Sequence, residues 1–193
     1  VVLVVGPVGS GKSHLAQLLA ERSGAAVVAA AVLARLDPLA LAARPAVVVE
    51  DADGTVDETA LFHLLNATRQ AGSSLMITTP RPLADWGLAL PDLVSRLRAA
   101  TPVALAEPDD ALLEALIAKL FADRQTVVDP AVVAYLARRM ERSFAVAREL
   151  VAALDREALA VKGPVGRAVA ARVLARGFGR DPHDDQLDED QEE

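Results

Sequence analysis

Short runs of small or β-branched apolar residues alternate with longer stretches of helical spacing through the first half of the chain. Val1–Val5 reads as a buried strand ended by Gly6. From Lys12 to Arg22, Leu15, Leu18 and Leu19 recur at helical spacing, and Gly24 is placed to cap the C-terminus. Ala46–Val49 is a second buried strand. Asp57–Ala71 carries Leu61, Phe62, Leu64 and Leu65 and closes at Gly72, a second helix. Ser74–Thr78 is a third strand, followed by the breaker Pro80-Arg81-Pro82. Thr101–Leu105 is a fourth, ending before Glu107-Pro108. Strands alternating with helices predict a parallel sheet with right-handed crossovers.

After Pro108 the pattern changes. Asp109 or Asp110 can cap a helix to about Ala122, with Leu112, Leu113, Leu116, Ile117 and Leu120 on one face. Asp129-Pro130 opens another, through Arg139. Ser143 caps a third, through Leu159, and Gly163-Pro164 precedes a fourth ending near Gly177. No strand is predicted here. The expected organisation is an α/β core over residues 1–106, an all-helical segment over 107–178 and an acidic tail over 179–193.

Composition sharpens this. The chain is 52% hydrophobic but only 3% aromatic, so its core is built from Ala, Val and Leu, which suits buried parallel strands under helices. The net charge is −7, and eight of the acids lie between Asp181 and Glu193, where there is no Lys or Arg. The rest is nearly neutral, without the basic excess of a direct nucleic-acid binder. The tail is expected to be disordered and solubilising, a docking tail being the sharper alternative. There is no Cys, which excludes disulfides and thiolate metal sites and fits a reducing cytoplasm. His14, His63 and His183 form no metal-ligand spacing. The apolar run Ala25–Ala34 is too short to span a bilayer, so no membrane association is expected. Val1–Val5 follows no basic segment and runs straight into a glycine loop, so it is a strand rather than a signal peptide. The chain begins inside that strand without a Met, and its natural N-terminus is expected to be missing.

The strongest chemical signal is Gly6-Pro7-Val8-Gly9-Ser10-Gly11-Lys12-Ser13. It matches the phosphate-binding loop in full and sits between a predicted strand and a predicted helix. Glycines let the backbone wrap an anion with its N–H groups inward, and the helix N-terminus adds its dipole. Lys12 is expected to reach the β/γ phosphates of ATP or ADP, and the Ser13 hydroxyl to ligate Mg²⁺. A second requirement is an acid at the end of a neighbouring strand. Val47-Val48-Val49 ends in Glu50-Asp51, both within reach if this strand lies beside the first. Glu50 is one methylene longer than the usual Asp. Thr78 and Thr79 end another strand, where a hydroxyl can orient water, touch a phosphate or simply close a turn. On composition alone Arg96 and Arg148 read as surface ion-pair partners.

Taken together, these segments resemble the AAA+ family, in its DnaA branch, and most closely the Hda group of DnaA inactivators. The resemblance covers nearly all of residues 1–178. It rests on Gly6–Ser13, Val47–Asp51 and Leu75–Pro82. Its more discriminating parts are Asp92-Leu93-Val94-Ser95-Arg96-Leu97-Arg98 and Ser143-Phe144-Ala145-Val146-Ala147-Arg148-Glu149-Leu150. It implies that Glu50 and Asp51 are the Walker B acids, with Glu50 on Mg²⁺, and that Thr78–Thr79 form sensor 1, with Thr79 at the nucleotide. Arg96 falls on the arginine finger, which acts in a neighbouring subunit, and Arg148 on sensor 2, which contacts the nucleotide of its own. The helical segment is the implied AAA+ lid. Glu50 in place of Asp implies weak ATP hydrolysis by this chain itself, and Pro80 stands where DnaA relatives commonly carry Asp. The implied role is a regulator of replication initiation that stimulates ATP hydrolysis by a DnaA-like initiator. A sliding clamp, bound through a peptide ahead of the first strand, and a homo-oligomer are further implied partners. The rival reading is an ATPase working on its own ATP, such as a helicase loader or an initiator fragment.

Overall fold

The computed structural model describes residues 1–161 and 163–179. It divides into two compact units, the first Val1–Ala106 and the second beginning at Glu107. The acidic stretch from Asp181 onward lies outside the described residues.

The first unit is a five-stranded sheet with helices on both faces. Its strands are β1 (Val2–Val5), β2 (Ala26–Ala29), β3 (Ala46–Glu50), β4 (Ser74–Thr79) and β5 (Thr101–Ala104). They lie in the order β2-β3-β4-β1-β5, all parallel. The helices are α1 (Lys12–Ser23), α2 (Pro38–Ala42, after a 3₁₀ turn Ala30–Arg35), α3 (Glu58–Ala71) and α4 (Pro91–Arg98). Period-two alternation divides the strand residues between two faces. Leu3, Val47, Val49, Leu75 and Ile77 pack with Leu61, Leu64 and Leu65 of α3 and Leu93 and Leu97 of α4. Val4, Ala46, Val48 and Met76 pack on the other face with Ala16 of α1. Small and branched aliphatic side chains keep the central strands β1, β3 and β4 buried on both faces without aromatic bulk.

Local signals set the ends of these elements. Asp57 Oδ1 accepts the Ala60 N–H at 2.8 Å and starts α3. Gly24 and Gly72 close α1 and α3, each at φ 69°, a left-handed conformation that costs glycine little. Along the outer edge, Thr101 N–H and Leu105 N–H donate inward to Val1 and Val5. Alternation therefore puts the nitrogen of Pro102 on the free side, where it has no N–H to offer another strand.

The second unit is helical: α5 (Asp110–Asp123), α6 (Pro130–Ala137), α7 (Phe144–Val161) and α8 (Arg167–Leu174). Asp109 caps α5 through Leu112 N–H at 2.7 Å, and Asp129 caps α6 through Ala131 N–H at 2.8 Å. Leu113, Ile117, Phe121, Leu136, Leu150 and Leu154 form its core. Among the described residues its only extended pairings are the bridges Val128–Val165 and Met140–Gly179. Among the described residues, no helix is long and apolar enough to cross a membrane.

Four features depart from the sequence expectation: the short helices α2 and α4, which were not predicted, the strand β2 and the place of β3. The apolar run after Gly24 contains the strand β2, which no alternation announces. And β3 does not lie beside β1, because β4 comes between them.

Candidate functional site

The chain leaves β1 for β2 on one side of the sheet, and leaves β4 for β5 on the other. The crevice at the carboxyl ends of β1 and β4 is therefore a topological switch point, where open α/β sheets bind ligands. The loop Gly6–Ser13 sits there. Gly9 and Gly11 have φ of 86° and 92°, and Gly11 is the residue before α1, so glycine is required at both. Gly6 is required for a different reason. A Cβ on it would stand 2.5 Å from the Leu105 carbonyl oxygen and 2.7 Å from Ser10 Oγ. Gly6→Ala is expected to destabilise the protein by about 1–3 kcal/mol, the usual cost of overpacking, and to weaken nucleotide binding. Chemical denaturation and a fluorescent-ADP titration check both effects.

Lys12 is buried, and its Nζ donates to Gly6 O and Pro7 O, each at 2.7 Å. That leaves one of three N–H donors for another acceptor. Burial pushes the Lys12 ammonium below its ordinary value, and the nearby Asp51 carboxylate partly restores it. Phosphate binding needs the charged form, so affinity falls as pH rises through this lowered value. In a pH series of ADP affinities, the alkaline loss should begin below 10.5, where an ordinary lysine is still charged. Asp51→Asn should move it to lower pH still, since the carboxylate is the raising influence.

The two acids end β3 on that same carboxyl edge. With strands about 4.8 Å apart, β3 is roughly 10 Å from β1, so Glu50 and Asp51 face the loop across β4. Backbone bonds align the three strand ends. Gly6 N–H donates to Thr79 O (3.1 Å), and Ala52 N–H to Thr78 O (2.8 Å). Asp51 N–H donates to Thr78 Oγ1 at 3.1 Å, which holds Asp51 in the left-handed region at φ 54°. Alternation gives Glu50 and Thr78 the face of Val48 and Met76, which α1 covers.

Thr79 faces the opposite way. Its hydroxyl donates to Arg81 O at 2.8 Å and accepts from Arg81 N–H at 3.3 Å, closing the turn after β4. Of the two threonines, it is Thr78 that meets the acid loop. Trp86 is buried in the core and donates to Arg81 O.

Two buried polar atoms in this region have no hydrogen-bond partner, Ser10 Oγ and Glu50 Oε1. Buried polar atoms are rarely left so. The atoms fit a site built for phosphate and cation, together with the left-handed glycines and the Lys12 ammonium. Ser13 is exposed in the first turn of α1. Pro7 and Val8 form the outer part of the loop, and Val8 is 83% exposed.

Arg96 is elsewhere. It lies in the last turn of α4 and lines a cleft with Val1, Ser73 and Ala100, which immediately precede β1, β4 and β5. That is the amino-terminal edge of the sheet, and four residues of β1 separate it from the loop by about 13 Å. Its guanidinium lies 5.2 Å from the centroid of the Phe62 ring, a cation–π contact. The other end of α4 is anchored by Glu58, whose carboxylate accepts Ala89 N–H at 3.0 Å and Leu90 N–H at 2.7 Å. Sequence reasoning missed this anchor, since its partners are 31 and 32 residues apart. Arg148 is exposed on α7, in the second unit.

No family model matches this chain, and no curated protein matches it in sequence. Solved structures do match in fold. Domain III of the Thermotoga maritima replication initiation protein DnaA matches with a TM-score of 0.78 at 16% identity, over 92% of this chain and 84% of that one. The RuvB Holliday junction branch migration motor of Thermotoga maritima matches at 0.71 and 18%, over 90% of this chain and 60% of that one. A replication initiator DnaA bound to AMPPCP and single-stranded DNA matches at 0.64 and 18%, over 83% and 57%. This chain thus spans about three fifths of the RuvB chain. Sheet order and phosphate loop together define the AAA+ P-loop fold, with a parallel sheet flanked by helices. It is the fold of DnaA domain III and of RuvB.

Proposed function

We propose that this protein is a nucleotide-binding regulator of replication initiation, of the Hda kind, which lends Arg96 to the ATP site of a DnaA-like initiator. One observation carries the reading. Arg96 stands at the sheet edge opposite its own phosphate loop, farther than its side chain can bridge, so a phosphate that it contacts has to be held by another molecule. Phe62 and the Glu58 anchor support it there. Arginine suits the task because its charge is permanent and its fork makes paired bonds to phosphate oxygens.

In this reading the loop Gly6–Ser13 holds ATP or ADP, with backbone N–H groups and Lys12 on the phosphates. Ser13 and Glu50 are the residues that would hold Mg²⁺, an ion usually bound through one or two carboxylates plus phosphates. When bound, Mg²⁺ neutralises charge on the phosphate oxygens. Asp51, whose carboxylate acts on the Lys12 charge, favours the charged form of that ammonium against the effect of burial, and Thr78 fixes the backbone that carries it. Arg148 is proposed as a nucleotide-sensing arginine, and a cytoplasmic location, clamp binding and self-association belong to the same proposal.

The test is ATP turnover in three mixtures: initiator alone, this protein alone, and both with DNA-loaded clamp. Turnover well above the sum of the first two supports the regulator. Asp51 favours the rival, since a carboxylate at the strand end could serve as base for the chain's own ATP. Robust turnover by this protein alone, unchanged in the mixture, would establish that reading instead.

A further inference from the structure

We infer that the cleft beside Arg96 is a two-arginine anion site, in which Arg69 contacts the same phosphoryl group of a nucleotide held by another P-loop protein. This rests on the reading of Arg96 as acting in trans. The cleft has a volume of about 320 Å³, and Arg69 and Arg96 both line it, together with Leu65 and Ser73. On α3 the residues Glu58, Phe62, Leu65 and Arg69 recur at spacings of four, three and four, one stripe of the helix. Each has a part on this side of the molecule. Glu58 anchors α4, Phe62 carries the Arg96 guanidinium, and Leu65 and Arg69 form the wall of the cleft.

Neither arginine has a carboxylate partner among the described residues. By contrast, Arg172 and Arg176 of the second unit both pair with Glu157. Two permanent cations without an acid between them give the cleft a positive field suited to a doubly charged terminal phosphate. The simpler role for Arg69 is that of a cation at the end of α3, where it complements the helix dipole. That role predicts an effect on stability and none on partners. Arg22, in the last turn of α1, occupies the equivalent position away from the cleft and is the control.

The experiment compares wild type with Arg69→Ala, Arg69→Lys, Arg22→Ala and Arg96→Ala. It reads stimulated initiator ATP hydrolysis, the Kd for ATP-loaded and for nucleotide-free initiator, and the melting temperature. Arg69→Ala should lower stimulation by about tenfold or more, the scale of one charge-assisted phosphate contact, and should abolish any preference for the ATP-loaded partner. Arg69→Lys should recover part of both, since it keeps the charge and loses the fork. Arg22→Ala should stimulate as wild type does. Arg69→Ala behaving as wild type, while Arg96→Ala fails to stimulate, overturns this inference and leaves the proposed function standing. Equal weakening toward both initiator forms also overturns it, because the anion is then on the partner's surface. So does a loss of stimulation matched by a fall in melting temperature. If Arg96→Ala stimulates normally, or wild type does not stimulate, both proposals fall together.

Discussion

Arg96→Ala is expected to reduce stimulated initiator hydrolysis by ~10³-fold or more, the scale of losing an arginine supplied in trans. The protein's affinity for ADP should be unchanged, because the side chain lies at the far edge of the sheet from Gly6–Ser13. Stability should change little. The side chain is partly exposed and unpaired, and what it loses is one contact over Phe62 at 5.2 Å, a cation–π interaction of about 0.5–1 kcal/mol at such a site. Arg96→Lys should not restore stimulation fully, since an ammonium cannot make the paired bonds of the guanidinium. Parallel measurements of stimulation, ADP affinity and denaturation separate these outcomes. Loss of ADP affinity in Arg96→Ala would mean that the residue serves its own site.

Lys12→Ala is expected to weaken ADP and ATP binding by about 10–100-fold, corresponding to one charge-assisted hydrogen bond. The substitution removes the buried ammonium and leaves Gly6 O and Pro7 O without the donor they share. Two effects on folding then oppose each other. The cost of burying a charge disappears, and two carbonyls lose a partner. The binding loss should therefore exceed any loss of stability, and the comparison of nucleotide titration with chemical denaturation checks this. A loop whose Lys12→Ala form binds ADP as well as wild type does not hold phosphate through that ammonium.

Much of the fold was legible because local and global signals agree in this chain. Asp57, Asp109 and Asp129 cap the helices they were expected to open, Gly24 and Gly72 close theirs, and Val47–Val49 is buried throughout. The strand β2 was hidden because Ala25–Ala34 is uniformly apolar and small. A short run of that kind suits strand, 3₁₀ turn and helix alike, and pairing with β3 decides it. Strand order was hidden for a different reason. Placing β4 between β1 and β3 depends on crossovers of many residues, which no local window contains.

The shape of the loop Gly6–Ser13 was legible, because glycine spacing is a local requirement and the structure has Gly9 and Gly11 in the left-handed region. The choice between Thr78 and Thr79 was not. The two adjacent hydroxyls look equivalent until the pleat turns one toward the acid loop and the other toward Arg81. The position of Arg96 at the opposite edge was likewise out of reach of sequence, as were the Glu58 anchor and Arg69 beside it. All three depend on α3 and α4 packing together on one face of the sheet.

The most direct test of the trans role is a single-turnover measurement with labels on one partner only. A DnaA-like initiator is preloaded with radiolabelled ATP, this protein is loaded with a non-hydrolysable analogue, and released phosphate is followed after mixing on clamp-bearing DNA. All labelled phosphate then comes from the initiator. Rapid release with wild type, and release at the initiator's unassisted rate with Arg96→Ala, is the predicted result. Release that is equally fast with both forms, or no faster with either than without them, contradicts it.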